Sequence, residues 1–295
     1  MSSLPIAVGL VTALCWGTSD FLSRLQSEKV GHYSTTVYVH VTTLLMLLVL
    51  FPVLNPSIHF TLLPAGVLAV AGVLNFLALM TLYRALHRGV VSVVAPIAYT
   101  YPAVTTMVSV VVFGVFLSPT QLIAIVAIIL GVVFISMRYS ELRNYSRGTG
   151  RPALTAGVVA AATSSVTFGL VYVALGYATP TVGYFLPVVL VRGVGTITGF
   201  ALAPAFRERI LPSRTSFSRV MLTMGLLEAI GFLVFNFGVS LGSDSLPVVT
   251  AISGMGGGVI VIYGMSILKE RLEMNQVLGA LLSIVGVFAL LYFGG

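Results

Sequence analysis

Apolar residues recur along this chain in runs of 19 to 27 residues, separated by short polar or glycine- and proline-containing segments. About 20 apolar residues carry an α-helix across roughly 30 Å of hydrocarbon. The pattern therefore predicts ten spans, at approximately 4–23, 33–54, 62–84, 90–116, 120–138, 152–177, 183–205, 217–240, 246–268 and 274–293. The longest connections, about 140–151 and 206–216, leave no room for a water-soluble domain. The opening residues MSSLP carry no charge, so 4–23 reads as a retained first helix and not as a signal peptide.

Composition agrees with this class. Hydrophobic residues make up 58% of the 295 and charged ones only 8%, too few to clothe so apolar a surface in water. The net charge of +7 would suit a nucleic-acid binder, but the basic residues flank helices and form no patch. Fourteen of the fifteen Lys and Arg fall in the odd-numbered loops: Arg24 and Lys29; Arg84 and Arg88; Arg138, Arg143, Arg147 and Arg151; Arg207, Arg209, Arg214 and Arg219; Lys269 and Arg271. The even-numbered loops carry none, so the positive-inside rule makes the odd side cytoplasmic and places both termini outside. Cys15 is the single cysteine and lies in a span, which excludes an internal disulfide.

The two halves resemble each other at offsets of 152 to 155 residues. Trp16-Gly17 matches Phe168-Gly169, VYVH at 37–40 matches VLVR at 189–192, GVLN at 72–75 matches GLLE at 225–228, and the segment from Gln121 matches that from Gln276. Five is an odd number, so tandem five-helix units cross the membrane in opposite senses, as in the inverted repeats of secondary transporters. Residues 1–139 are expected to form the first repeat, 140–151 a basic connection, and 152–295 the second repeat.

WGTSDF at 16–21, the position of Arg192 and the closing segment LKERLEMNQVLGALLSIVGV at 268–287 resemble the ten-helix EamA-like branch of the drug/metabolite transporter superfamily. The resemblance covers the whole chain. It implies an all-α membrane fold, with a central cavity between two five-helix halves and alternating access. Members of that superfamily move amino acids, sugars, nucleotide-sugars, drugs and other small metabolites. Two features depart from the pattern. Val115 stands where the first half should carry the counterpart of Glu270. Relatives are also drawn with cytosolic termini, opposite to the sense that the charges of this chain imply.

Ionisable groups deep in a span usually face a cavity or a partner, because exposing them to lipid costs about 2.5–3.5 kcal/mol or more. Glu228 lies eleven residues into the eighth span, with Asn75 as its repeat counterpart; Arg192 lies about ten residues into the seventh, with His40 as its counterpart. Glu228 can hold a cation, an amine or a coupling proton, and Arg192 a carboxylate or phosphate; alternatively the two pair and lock their helices together. Asp20 sits one turn past Trp16-Gly17, where it forms a gate or coupling group or an end-of-helix salt bridge with Arg24. The fourth span reads APIAYTYPA with Pro96 and Pro102, and the ninth reads SGMGGGV with Gly254 and Gly257 falling opposite Tyr99 and Pro102. Interrupted helices at matching places in two halves mark a transport site, although Gly254 and Gly258 also spell a close-packing GxxxG. Tyr99, Tyr101 and Trp16 are candidate aromatic walls, and Tyr83 and Asn236 are a matched polar pair.

HExxH, Walker and GxSxG motifs are absent from the sequence, and its four histidines are scattered. No catalytic residue, metal site or cofactor is expected. The expected function is secondary active transport of a small metabolite across the cell membrane by alternating access, outward and with proton coupling or exchange. The expected partners are that small molecule and the lipid bilayer, not nucleic acid. A non-transporting scaffold or receptor is the alternative, followed by a membrane enzyme.

Overall fold

The computed structural model describes residues 3–54, 56–57, 59–88, 95, 97–137, 139, 151–208, 210, 217–242, 245–268 and 273–293. Pro96, Glu270, Lys269, Arg138, Arg143, Arg147, Arg209, Arg214, Arg271 and residues 140–150 of the basic connection lie outside them. The chain is all-α. Its elements are α1 (Leu4–Val30), α2 (His32–Leu54), α3 (Leu62–Arg88), α4 (Tyr101–Phe113), α5 (Pro119–Ser136), α6 (Arg151–Val182), α7 (Leu186–Leu202), α8 (Arg219–Val239), α9 (Ser245–Ser253), α10 (Gly256–Leu268) and α11 (Met274–Phe293). Only the turn at Gly254-Met255 separates α9 from α10, so these eleven elements make ten helical segments among the described residues. Among the described residues five helices are long and apolar enough to cross a membrane: Leu4–Val30, His32–Leu54, Leu62–His87, Gly157–Val182 and Arg219–Val239.

Several helices run past the ends that hydropathy sets. Hydropathy marks where a helix meets water, whereas the helix itself ends where its backbone is broken. α1 continues from the expected residue 23 to Val30 and stops at Gly31, whose φ of 81° suits a residue without a Cβ. α6 continues to Val182 and is followed by Gly183 at φ 86°. The fourth segment is interrupted as its prolines imply: a turn at Tyr99-Thr100 precedes α4. Pro102 falls in the first turn of α4, where its missing N–H leaves no hydrogen bond unmade.

α1 lies at the centre, packed on α8, on both halves of the broken ninth segment, and on α2 and α3. α3 packs on α6 and α7, α2 on α8 and α7, and α4 on α6 and α9. α5 and α11 pair with each other. The outer surface is apolar, with Val111 at 78% and Val285 at 62% exposure and Ile123, Leu278 and Phe288 exposed beside them. Such a surface is stable against lipid tails and not against water, and the helices satisfy their backbone hydrogen bonds internally as hydrocarbon requires.

Candidate functional site

The interior holds a narrow cavity of about 30 Å³ between α1, α3, α4, α6, α7 and α8. Trp16 and Asp20 come from α1, one turn apart; Ala98, Tyr99 and Tyr101 flank the break before α4; Phe168 and Tyr172 come from α6. α7 and α8 contribute Arg192 and Glu228, and Phe232 lies one turn beyond Glu228.

Arg192 and Glu228 form a buried ion pair through Nη2 and Oε2. The guanidinium also lies 4.4 Å from the centroid of the Phe232 ring, whose face attracts it. Breaking so buried a pair strands a charge, which is more costly than the pair is favourable. The Nε and Nη1 of Arg192 and the indole Nε1 of Trp16 are buried without hydrogen-bond partners.

Asp20 lies in the interior of α1, ten residues before its end, and is 6% exposed. Its Oδ2 accepts a 2.6 Å hydrogen bond from the Tyr99 hydroxyl. The end-of-helix pair with Arg24 does not form: Arg24 is exposed, and among the described residues no basic side chain is ion-paired with Asp20. The helix continues past residue 23, so Asp20 is an interior residue on a buried face.

The rest of the wall is aromatic. Trp16 stacks on Tyr172 at 5.5 Å and 19°, and Tyr172 in turn lies 5.1 Å from Tyr101 and stacks on Phe168 at 5.9 Å. Tyr101 and Ser253 share a 3.2 Å hydrogen bond that joins the two interrupted segments. The breaks meet there: a Cβ on Gly254 would lie 2.8 Å from Pro102 Cγ, and one on Gly256 3.3 Å from Tyr99 Cε1. Glycine is needed because a side chain would separate the segments. Gly257 is buried in the same turn and donates its N–H to Gly254 at 3.3 Å.

The remaining candidates stand behind the wall. His40 and Asn75 are wholly buried side by side, with the ring of His40 against Gly195. His40 Nδ1 bonds the Thr36 carbonyl at 2.9 Å, while its Nε2 and both amide atoms of Asn75 have no partner. Tyr83 is buried beside Ser19. Asn236 accepts from Thr179 Oγ1 at 2.8 Å and donates to the Phe232 carbonyl at 3.0 Å, tying α6 to α8. Of the twelve sequence candidates, Trp16, Asp20, Tyr99, Tyr101, Arg192 and Glu228 line the cavity, whereas His40, Asn75, Tyr83, Asn236, Gly254 and Gly257 do not. Phe168, Tyr172 and Phe232 had not been singled out for the wall. The repeat offset carried the missing signal, since 152 residues separate Trp16 from Phe168 and Asp20 from Tyr172.

Residues 3–137 match the EamA-like transporter family. An uncharacterized transporter of Archaeoglobus fulgidus is 24% identical over 291 residues, 98% of each chain. The first half of the chain is thus similar to the EamA-like transporter family, and its whole length to the Archaeoglobus protein. With its long apolar helices, the chain is a multi-pass membrane protein. A second relative, an uncharacterized protein of Methanocaldococcus jannaschii, is 29% identical over 132 residues; the match takes in 96% of that protein but 45% of this one. A solved crystal structure shares the fold with a TM-score of 0.74 at 16% identity, covering 98% of this chain and 96% of that one.

Proposed function

We propose that this protein is a secondary active transporter that carries a small amphipathic metabolite out of the cell by alternating access, binding it in the cavity around Asp20, Arg192 and Glu228. The observation that carries this is the ion pair and the carboxylate buried together in an aromatic cavity where two interrupted helices cross. A rigid scaffold has no need of charges at that depth, which are costly in a membrane and mark substrate or ion pathways. Breaks in matching helices give two units a place to rock about a fixed site.

The units in this proposal are residues 1–139 and 152–295, related as an inverted repeat. Reciprocal contacts at three glycine crossings support it. A Cβ on Gly17 would meet the Gly256 carbonyl at 2.6 Å, and one on Gly169 the Tyr101 carbonyl at 3.3 Å; these pairs exchange at the repeat offsets. Gly72 against Val194 exchanges with Gly225 against Thr42, and Gly131 against Ser283 with Gly286 against Ile128. The half-length Methanocaldococcus relative also fits a unit of this size.

Counterflow in proteoliposomes tests the function. Vesicles preloaded with a compound from a panel of amines, amino acids, organic acids and neutral amphiphiles should accumulate its labelled form. Failure of every class in protein that remains folded would sink the transporter reading.

A further inference from the structure

Three charged side chains share the cavity wall, two acidic and one basic. Arg192 is committed to Glu228. The sequence makes Glu228 the candidate for holding a cation, but the fold gives Glu228 a basic partner, while among the described residues Asp20 has a tyrosine hydroxyl and no ion-paired base. The formal charges of the three add to minus one. In a buried site a carboxylate without a counter-ion is costly, and either a proton or a ligand that brings one positive charge relieves it.

The surroundings of Asp20 suit an organic cation. Trp16 lies one turn away on the same helix, and Tyr99, Tyr101 and Tyr172 line the same cavity. Aromatic faces attract ammonium groups and also cover an apolar body. Among the described residues, Arg192 also keeps two buried donors without a hydrogen-bond partner, Nε and Nη1. They call for an acceptor oxygen on the ligand. A carboxylate would satisfy them but would cancel the ligand's positive charge and leave the cavity at minus one. A hydroxyl or carbonyl satisfies them and keeps the balance.

We propose that Asp20 is the subsite for the ammonium group of a monocationic amine whose neutral oxygen is held by Arg192. This rests on the transporter reading for its purpose but not for its test. The full-length protein in lipid nanodiscs is titrated at neutral pH with three compounds that share one ring: tyramine, tyrosine and 3-(4-hydroxyphenyl)propionate. Tyramine should bind at least about tenfold more tightly than either of the others, the size of preference that one compensated charge readily supplies. Asp20→Asn should abolish the preference and Asp20→Glu should keep it. Equal or tighter binding of the zwitterion or the anion, no binding by any of the three, or an unchanged preference in Asp20→Asn overturns the proposal. If Asp20→Asn does not fold, the three-compound comparison on the unaltered protein decides. Tyrosine flux without tyramine binding would refute the subsite and leave the transporter. Tyramine binding with no flux of any compound would do the reverse.

Discussion

The Tyr99 hydroxyl donates a 2.6 Å hydrogen bond to Asp20, joining the central helix α1 to the turn that interrupts the fourth segment. Both residues are buried, so this bond holds a carboxylate largely removed from water. Tyr99→Phe keeps the ring and removes the donor. Leaving one buried acceptor unsatisfied costs about 1–3 kcal/mol. Thermal unfolding in nanodiscs should show that loss, with reduced transport; wild-type stability would mean the bond contributes nothing.

Glu228→Gln should destabilise the fold by roughly 3–5 kcal/mol, because it leaves the Arg192 guanidinium buried beside a neutral amide. Replacing both residues with leucine should recover most of that stability and none of the transport. Denaturation midpoints and vesicle flux measured together separate the two roles. A single Glu228→Gln variant with wild-type stability and flux would show that the pair serves neither.

Gly17→Ala places a methyl group 2.6 Å from the Gly256 carbonyl and 2.7 Å from Val259 Cβ, where α1 crosses α10. The helices must separate, at a cost of about 1–3 kcal/mol as for other overpacked sites. Gly66→Ala is the control: nothing lies within 4 Å of its added Cβ, and alanine is the better helix former by about 1 kcal/mol. Melting temperatures should move in opposite directions for the two variants.

Both termini should face away from the cytoplasm, since all fourteen loop-borne Lys and Arg lie in odd-numbered loops. A C-terminal alkaline phosphatase fusion should be active and a C-terminal fluorescent protein dark. A bright fluorescent fusion with an inactive phosphatase would show that the family's usual orientation overrides the charge bias.

The ten apolar segments were legible in the sequence because insertion of a helix into hydrocarbon depends on the local sum of its side-chain transfer energies. The two interruptions were legible for a similar reason, since proline and glycine act on their own backbone: the turns lie at Tyr99-Thr100 and Gly254-Met255, beside Pro102 and within SGMGGG. The depth of Asp20, Arg192 and Glu228 in their spans could also be counted. What no local pattern contains is the rotation of each helix about its own axis, which is set by the neighbours it packs against. That rotation joins Arg192 to Glu228 across 36 residues of chain and turns Asp20 toward Tyr99, 79 residues away, while Arg24 faces outward. It also holds His40 and Asn75 behind the wall, though they match Arg192 and Glu228 in the repeat. Charge, depth and helix breaks follow from the order of residues; which carboxylate is left without a cation follows only from how the helices pack.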